Sequence, residues 1–110
     1  MVIAVGDSVA GFAPGDRVAY FFAAYGSYAS ERVIGADRLV KIPNGVNDAT
    51  AASLMIKGLT ALMLVKHVHA LGPDDTILVH AAAGGVGLLL SQWAKHLGAR
   101  VIGTAGSPEK

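Results

Sequence analysis

The chain of 110 residues contains no cysteine, which excludes a disulfide framework, a thiolate nucleophile and a cysteine-based zinc site. Charge is sparse and balanced. With 9 basic and 8 acidic residues the net charge is +1, so the chain has neither an extended positive field for a phosphate backbone nor a polybasic segment for an anionic membrane. Long apolar runs are also lacking: one is interrupted by Lys57 and Gly58, another by Ser91 and Gln92, before the roughly 18 to 20 residues of a membrane span. Met1 to Gly6 has no charged lead of the signal-peptide kind. These absences lead us to expect a soluble, cytoplasmic protein with no nucleic-acid or membrane partner. The length itself suits one small domain and is short for an enzyme with a separate cofactor domain.

What is abundant is small and apolar. Alanine and glycine make up 33 residues, and hydrophobic types reach 53% against 15% charged, a core-forming composition rather than a disordered one. The texture changes near residue 45. Before it, short β-type runs (Val2 to Val5, Arg17 to Tyr20, Arg32 to Ile34) alternate with Gly, Pro and Asp, which suggests a small antiparallel barrel or sandwich. After it, Asn47 or Asp48 is placed to cap a helix through Ile56. Gly58 is expected to interrupt it, and Leu59 to Ala70 to continue as a nearly all-apolar helix stopping at Gly72-Pro73. Such a helix is expected to be buried between layers.

Thr76-Ile77-Leu78-Val79 reads as a buried parallel strand. Val86, Leu90 and Leu97 then recur at helical spacing, with Lys95 and His96 in the last turn and Gly98 as the stop. Val101-Ile102-Gly103 is a second strand, so residues 76 to 104 form one βαβ unit. Between the first strand and the helix lies Ala81-Ala82-Ala83-Gly84-Gly85-Val86-Gly87, the context that makes a glycine-rich string a dinucleotide-binding motif. Gly84 and Gly85 lack a Cβ, so the main chain can approach a pyrophosphate, and the N–H groups at the helix start face the anion. Gly87 lets helix and strand pack closely. Ala82 stands where G-x-G-x-x-G has its first glycine. The alternative is that the Ala/Gly cluster serves only close helix–sheet packing.

The end of the second strand selects the dinucleotide, since a carboxylate there would hold a ribose 2′-OH. The segment reads Thr104-Ala105-Gly106-Ser107-Pro108-Glu109-Lys110, with no acid at the strand end. Ser107 and Lys110 suit a 2′-phosphate, which favours NADPH. Glu109 belongs to the start of a following helix. Arg100 precedes the strand and is expected at the opposite edge of the sheet. His67 and His69, two apart on one helix, diverge and cannot readily share an ion. His80, beside the loop, is either polar support for the cofactor or a structural histidine. Tyr20, Tyr25, Tyr28, Phe21 and Phe22 could face a flat aromatic substrate, but an aromatic run equally serves a core. No acid/base pair or nucleophilic triad is evident, and the catalytic residues are unassigned.

Asp74-Asp75-Thr76-Ile77-Leu78, the Ala81 to Gly87 string and Gln92-Trp93-Ala94-Lys95 resemble the signature of zeta-crystallin-type quinone oxidoreductases. These are members of the medium-chain dehydrogenase/reductase superfamily. The resemblance extends through Lys57-Gly58-Leu59-Thr60-Ala61, Gly15-Asp16-Arg17-Val18 and Gly26-Ser27-Tyr28, essentially the whole chain. It implies an α/β protein in which residues 1–57 are the C-terminal portion of a GroES-like catalytic domain. Residues 58–110 then begin a Rossmann cofactor domain of doubly wound parallel sheet. It also implies a homodimer or homotetramer that transfers hydride from NADPH to a quinone or similar acceptor. Ile56 stands where zinc-dependent relatives place a cysteine, so no metal is expected. Thr60 is implied to lie near the nicotinamide, an alternative being a helix-terminal threonine bonded to backbone. The candidate cofactor-binding set is Thr60, Ala83, Gly84, Gly85, Val86, Gly87, Thr104, Gly106, Ser107 and Lys110.

Two rival readings stand beside this one. One is an NADPH-dependent enoyl reductase, free-standing or a polyketide synthase module, whose loop reads similarly. The other is a truncated binding protein that keeps the fold without turnover. The chain is expected to be part of a longer enzyme, because two parallel strands and one helix leave sheet edges and faces uncovered.

Overall fold

The computed structural model describes every residue except Phe22, Ala23, Ala24, Pro108 and Lys110. It divides into two units, Met1–Met55 and Ile56–Lys110. In the first unit, β1 (Val18–Tyr20) pairs antiparallel with β2 (Leu39–Lys41), Val18 opposite Lys41 and Tyr20 opposite Leu39. Gly15 takes a φ of +93° in the turn that leads into β1, a conformation open to glycine at little steric cost. The Asp16 carboxylate fixes that turn by accepting the Ala13 N–H at 2.9 Å and pairing with Lys41 Nζ at 2.8 Å. Lys41 and the Ala13 N–H together hold Asp16 below the usual carboxylate range.

Two expected strands do not form. Val2 exchanges backbone bonds with Asp16 and Gly15, both at 2.9 Å, but residues 2–5 are not a strand. Arg32 to Ile34 is not a strand, and Val33 is 99% exposed. Leu39–Lys41 forms β2 instead, because a 3₁₀ turn at Ala36–Arg38 delivers it alongside β1. A β-run becomes a strand only when a facing strand completes its backbone bonds and cross-strand contacts. Among the described residues of this unit, two strands pair, and no barrel or sandwich closes.

Asn47 is the helix cap: its Oδ1 accepts the Thr50 N–H at 2.8 Å, and its carbonyl accepts the Ala51 N–H at 3.0 Å. The helix, α1 (Asp48–Leu62), then runs straight through Gly58. A Cβ at Gly58 would meet nothing within 4 Å, so this glycine costs about 1 kcal/mol of helix propensity without breaking the ladder. The helix widens into π-type turns over Met63–Val68 and stops at extended His69, before the expected end at Ala70. The apolar run is therefore longer than its sequence breaks suggest. Asp48–Val68 has 21 residues, enough by length and composition to cross a membrane, a test that the core helix of a soluble protein also passes. Ala61 and Val65 are buried, whereas Ile56, Met63 and Val68 are 55%, 48% and 68% exposed. The expectation of a helix buried between layers is thus not met among the described residues.

The second unit contains the expected βαβ unit: β3 (Thr76–Val79), α2 (Gly85–His96) and β4 (Arg100–Gly103). β3 and β4 are parallel, with Thr76 opposite Arg100 and Val79 opposite Gly103. α2 packs on both strands and on the π-type turns. The core is built from small residues, Ala61, Val65, Val79, Ala94 and Ala99. Paired Leu78 and Ile102 remain 57% and 47% exposed. Gly98 ends α2 with a φ of +91°. The turn before β3 is tied by Asp75, whose carboxylate accepts the Gly72 N–H at 2.7 Å and meets His69 Nε2 at 2.9 Å.

Removing the cap in Asn47→Ala is expected to cost about 1 kcal/mol, read as a lower urea midpoint with an unchanged slope. His69 and the Gly72 N–H hold the Asp75 carboxyl below its ordinary value. Its contribution is therefore present above the ordinary carboxylate pKa and is lost as pH falls through the depressed one. A carbon-detected titration is expected to show Asp75 protonating below the usual carboxylate range in the chain, and closer to it in His69→Ala.

Candidate functional site

The backbone between β3 and α2 is strapped to the end of β4. Thr104 donates its N–H to the Val79 carbonyl at 3.0 Å, and its own carbonyl accepts the Ala82 N–H at 2.9 Å. Its hydroxyl lies 3.2 Å from His80 Nδ1. Within the turn, the Gly84 N–H bonds the Ala81 carbonyl at 2.8 Å. These bonds draw the turn close to both neighbouring elements. A Cβ on Gly87 would strike the Ala81 carbonyl oxygen and stand 2.8 Å from Ala82 Cα, and one on Gly103 would stand 2.7 Å from Ala82 Cβ. The sequence puts Ala82 at the first motif glycine. The structure gives the left-handed conformation to Ala81, at a φ of +53°, and asks of Ala82 only that it be small.

α2 opens on Gly84, which is extended and carries no side-chain cap. The first intrahelical bond reaches Gly84 from the Leu88 N–H at 2.9 Å, so the N–H groups of Gly85, Val86 and Gly87 lack an intrahelical acceptor. Gly84 and Gly85 are exposed, Ala83 and Val86 half-buried, and Gly87 is buried. The turn borders an open cavity of about 460 Å³, whose lining includes Leu64, Val79, His80, Gly84 and Val86. Such an end, with free N–H groups and the positive end of the dipole, attracts anions.

Other expected residues are placed differently. Thr60 is not at a helix start: it is inside α1, half-buried, with its hydroxyl donating to the Ile56 carbonyl at 2.8 Å. Gly106 is exposed, and a Cβ there would meet nothing. The Ser107 hydroxyl bonds the Glu109 carboxylate and, with backbone help, holds it below the usual range. Glu109 lies in a turn rather than a helix. Lys110 is outside the described residues. Arg100, opposite Thr76, is at the other end of the sheet from the turn, as the strand order implies.

His69 is bonded to Asp75, and no group of three His, Cys, Asp or Glu side chains converges among the described residues. In the first unit a cavity of about 600 Å³ is lined in part by Arg17, Tyr20, Ser27 and Asp48. The Tyr20 hydroxyl donates to Ser27 Oγ at 3.2 Å and accepts from Arg32 at 3.3 Å. Ser27 and Arg32 lower its pKa. Tyr25 and Tyr28 are wholly exposed, and Phe22 lies outside the described residues. Residues that shape the turn but are absent from the candidate set are Ala81, Gly103 and Lys57. The Lys57 side chain lies where a Cβ on Gly85 would be, with its Cε at 2.8 Å. Motif spacing could not reveal it, since Lys57 comes from another helix.

No family model matches the chain. Individual proteins do. A quinone oxidoreductase of Pseudomonas aeruginosa is 49% identical over 109 residues, 99% of this chain and 34% of its own length. Over its whole length the chain is similar to quinone oxidoreductases. A 2-haloacrylate reductase of a Burkholderia species is 44% identical over 96% of the chain and 32% of its own length. The solved quinone oxidoreductase of Escherichia coli complexed with NADPH superposes with a TM-score of 0.86 at 43% identity, over 97% of this chain and 33% of that one. The chain thus spans about a third of the length of the relatives it matches. The α/β reading holds over that span.

Gly87→Ala and Gly103→Ala are each expected to cost about 1 to 3 kcal/mol, because backbone or a fixed Cβ must move aside. Gly106→Ala, with open space around it, is expected to stay within about 0.5 kcal/mol. Urea unfolding of the three variants checks the contrast.

Proposed function

We propose that this chain carries the dinucleotide-diphosphate site of an NADPH-dependent oxidoreductase that reduces a quinone or a similarly electron-poor acceptor without metal. The observation that carries the reading is the uncapped start of α2. Three N–H groups there lack intrahelical acceptors, and the turn and β4 approach so closely that side chains at Gly87 and Gly103 would not fit. The relative solved with NADPH supports the choice of cofactor. The residues fit a diphosphate: the helix end attracts an anion, and no carboxylate stands in the Ala81 to Gly87 string.

Bound NADPH would supply the hydride. In this reading Gly84, Gly85, Val86 and Gly87 hold its diphosphate through main-chain N–H groups, with Ala83 leaving room beside them. Thr104 keeps the turn in register and presents Gly106 and Ser107 toward the adenosine ribose, where Ser107 and Lys110 take the 2′-phosphate. Thr60 offers its hydroxyl toward the nicotinamide by turning from the Ile56 carbonyl. Ser107 would have to exchange its bond to Glu109 for a phosphate oxygen, so 2′-phosphate binding is expected to move the Glu109 carboxyl toward its ordinary value. Residues 1–57 are the GroES-like catalytic portion and 58–110 the start of the Rossmann portion in this assignment. The complete enzyme is cytoplasmic, does not engage membrane and forms a homodimer or homotetramer.

A second reading, reduction of an activated carbon–carbon double bond, is favoured by the similarity to a 2-haloacrylate reductase. Assaying NADPH oxidation with a quinone and with an enoyl thioester separates the two, and turnover of the thioester alone would replace the first reading with the second. The 110 residues by themselves are expected to bind NADPH weakly and not to turn over, given the apolar surface left open on α1, β3 and β4. A cooperative thermal transition with micromolar NADPH affinity would contradict that. Lys110→Ala is expected to weaken NADPH more than NADH; equal losses would remove its 2′-phosphate role.

A further inference from the structure

We infer that Lys57 is a further dinucleotide-binding residue whose ammonium completes the diphosphate site at the start of α2, an assignment that rests on the reading above. The position that a Gly85 Cβ would occupy is 2.9 Å from Lys57 Cδ, 2.8 Å from its Cε and 3.1 Å from its Nζ. In an α-helix the Cα–Cβ bond tilts toward the N-terminus. Atoms packed against that position therefore lie at the first turn of α2, whose leading N–H groups lack intrahelical acceptors.

This placement lacks a structural rationale within the fold. A cation at a helix N-terminus meets the positive end of the dipole and is disfavoured there. No carboxylate among the described residues pairs with Lys57 to offset this. An anion between the ammonium and the helix end removes the conflict, since both would then attract the same group. The diphosphate is common to NADPH and NADH, so Lys57 contributes equally to both and leaves the choice between them to residues 104–110. The same geometry assigns a purpose to Gly85: any side chain there would push the lysine stem off the helix end. Gly85 is thus required by the placement of Lys57, whereas Gly87 is required by the backbone of the turn.

Amide-resolved NMR titrations of the chain with NADPH, NADH and inorganic pyrophosphate test this, with the Gly84 to Gly87 resonances as the readout. In Lys57→Met and Lys57→Gln the affinities for all three ligands are expected to fall about five- to tenfold. The ratio between NADPH and NADH should not change, and the other amide positions should stay as in the unsubstituted chain. Lys57→Arg is expected to keep most of the affinity. Gly85→Ala is expected to lose as much as Lys57→Met with little change in stability, because the flexible lysine end can move aside. Unchanged affinity in both Lys57 variants, with dinucleotide still bound at the Gly84 to Gly87 amides, overturns the role of Lys57 and leaves the site standing. A loss confined to NADPH overturns the diphosphate assignment in favour of the 2′-phosphate. Absence of NADPH and NADH binding by the unsubstituted chain overturns both this inference and the reading on which it rests.

Discussion

The second unit depends on how closely the turn after β3 can approach β4 and the first turn of α2. Three backbone bonds, Thr104 to Val79, Ala82 to Thr104 and Gly84 to Ala81, pull the turn inward. The absence of a Cβ at Gly87 and Gly103 lets it arrive. Everything proposed about the site follows from that approach. It sets where α2 begins, leaves its first N–H groups without intrahelical acceptors, and brings the His80 ring beside the Thr104 hydroxyl. The cost is conformational: Ala81 is held in the left-handed region, which disfavours a residue with a Cβ by about 1 kcal/mol or more.

The same economy of size runs through the packing. Among the described residues, the buried hydrophobic ones are alanines and valines, all in the second unit. They allow α2, the strands and the π-type turns to lie near one another, but bury little area per residue. At about 25 cal/mol per Å² of apolar surface, such a core stabilises modestly, and the larger side chains Ile56, Met63, Leu78 and Ile102 contribute little while they stay open to solvent. The first unit relies more on polar ties. Arg17 binds the Asp48 carboxylate and the Val46 carbonyl, and Asp16 links its turn to Lys41. With the Arg17 and Asp48 side chains 40% and 81% exposed, such a pair orients more than it stabilises.

Legibility in the sequence followed the range of the interactions. The βαβ unit was readable because strand, glycine turn, helix and strand each announce themselves within a few residues, and the Asn47 cap is a contact across three positions. Arg32 to Ile34 looked like a strand and is not one, because a strand needs a partner that sequence pattern does not supply. Gly58 looked like a break and is not one, because a single propensity penalty is outweighed by the helical bonds on either side. Thr60 is for the same reason inside α1 rather than at a helix end.

Composition and local spacing by themselves determined that this is an α/β chain without cysteine chemistry, built around a glycine-rich turn between a parallel strand and a helix. Local rules suffice there because turn conformation, capping and strand–helix alternation are short-range. Only the tertiary structure decided which glycines are steric necessities, which residue takes the left-handed backbone, and that Lys57 of one helix lies on the first residue of another. The contacts of Gly103 with Ala82 and of Lys57 with Gly85 join segments far apart in the chain, and those of Gly87 and Ala81 depend on how the turn closes, so no periodicity encodes them.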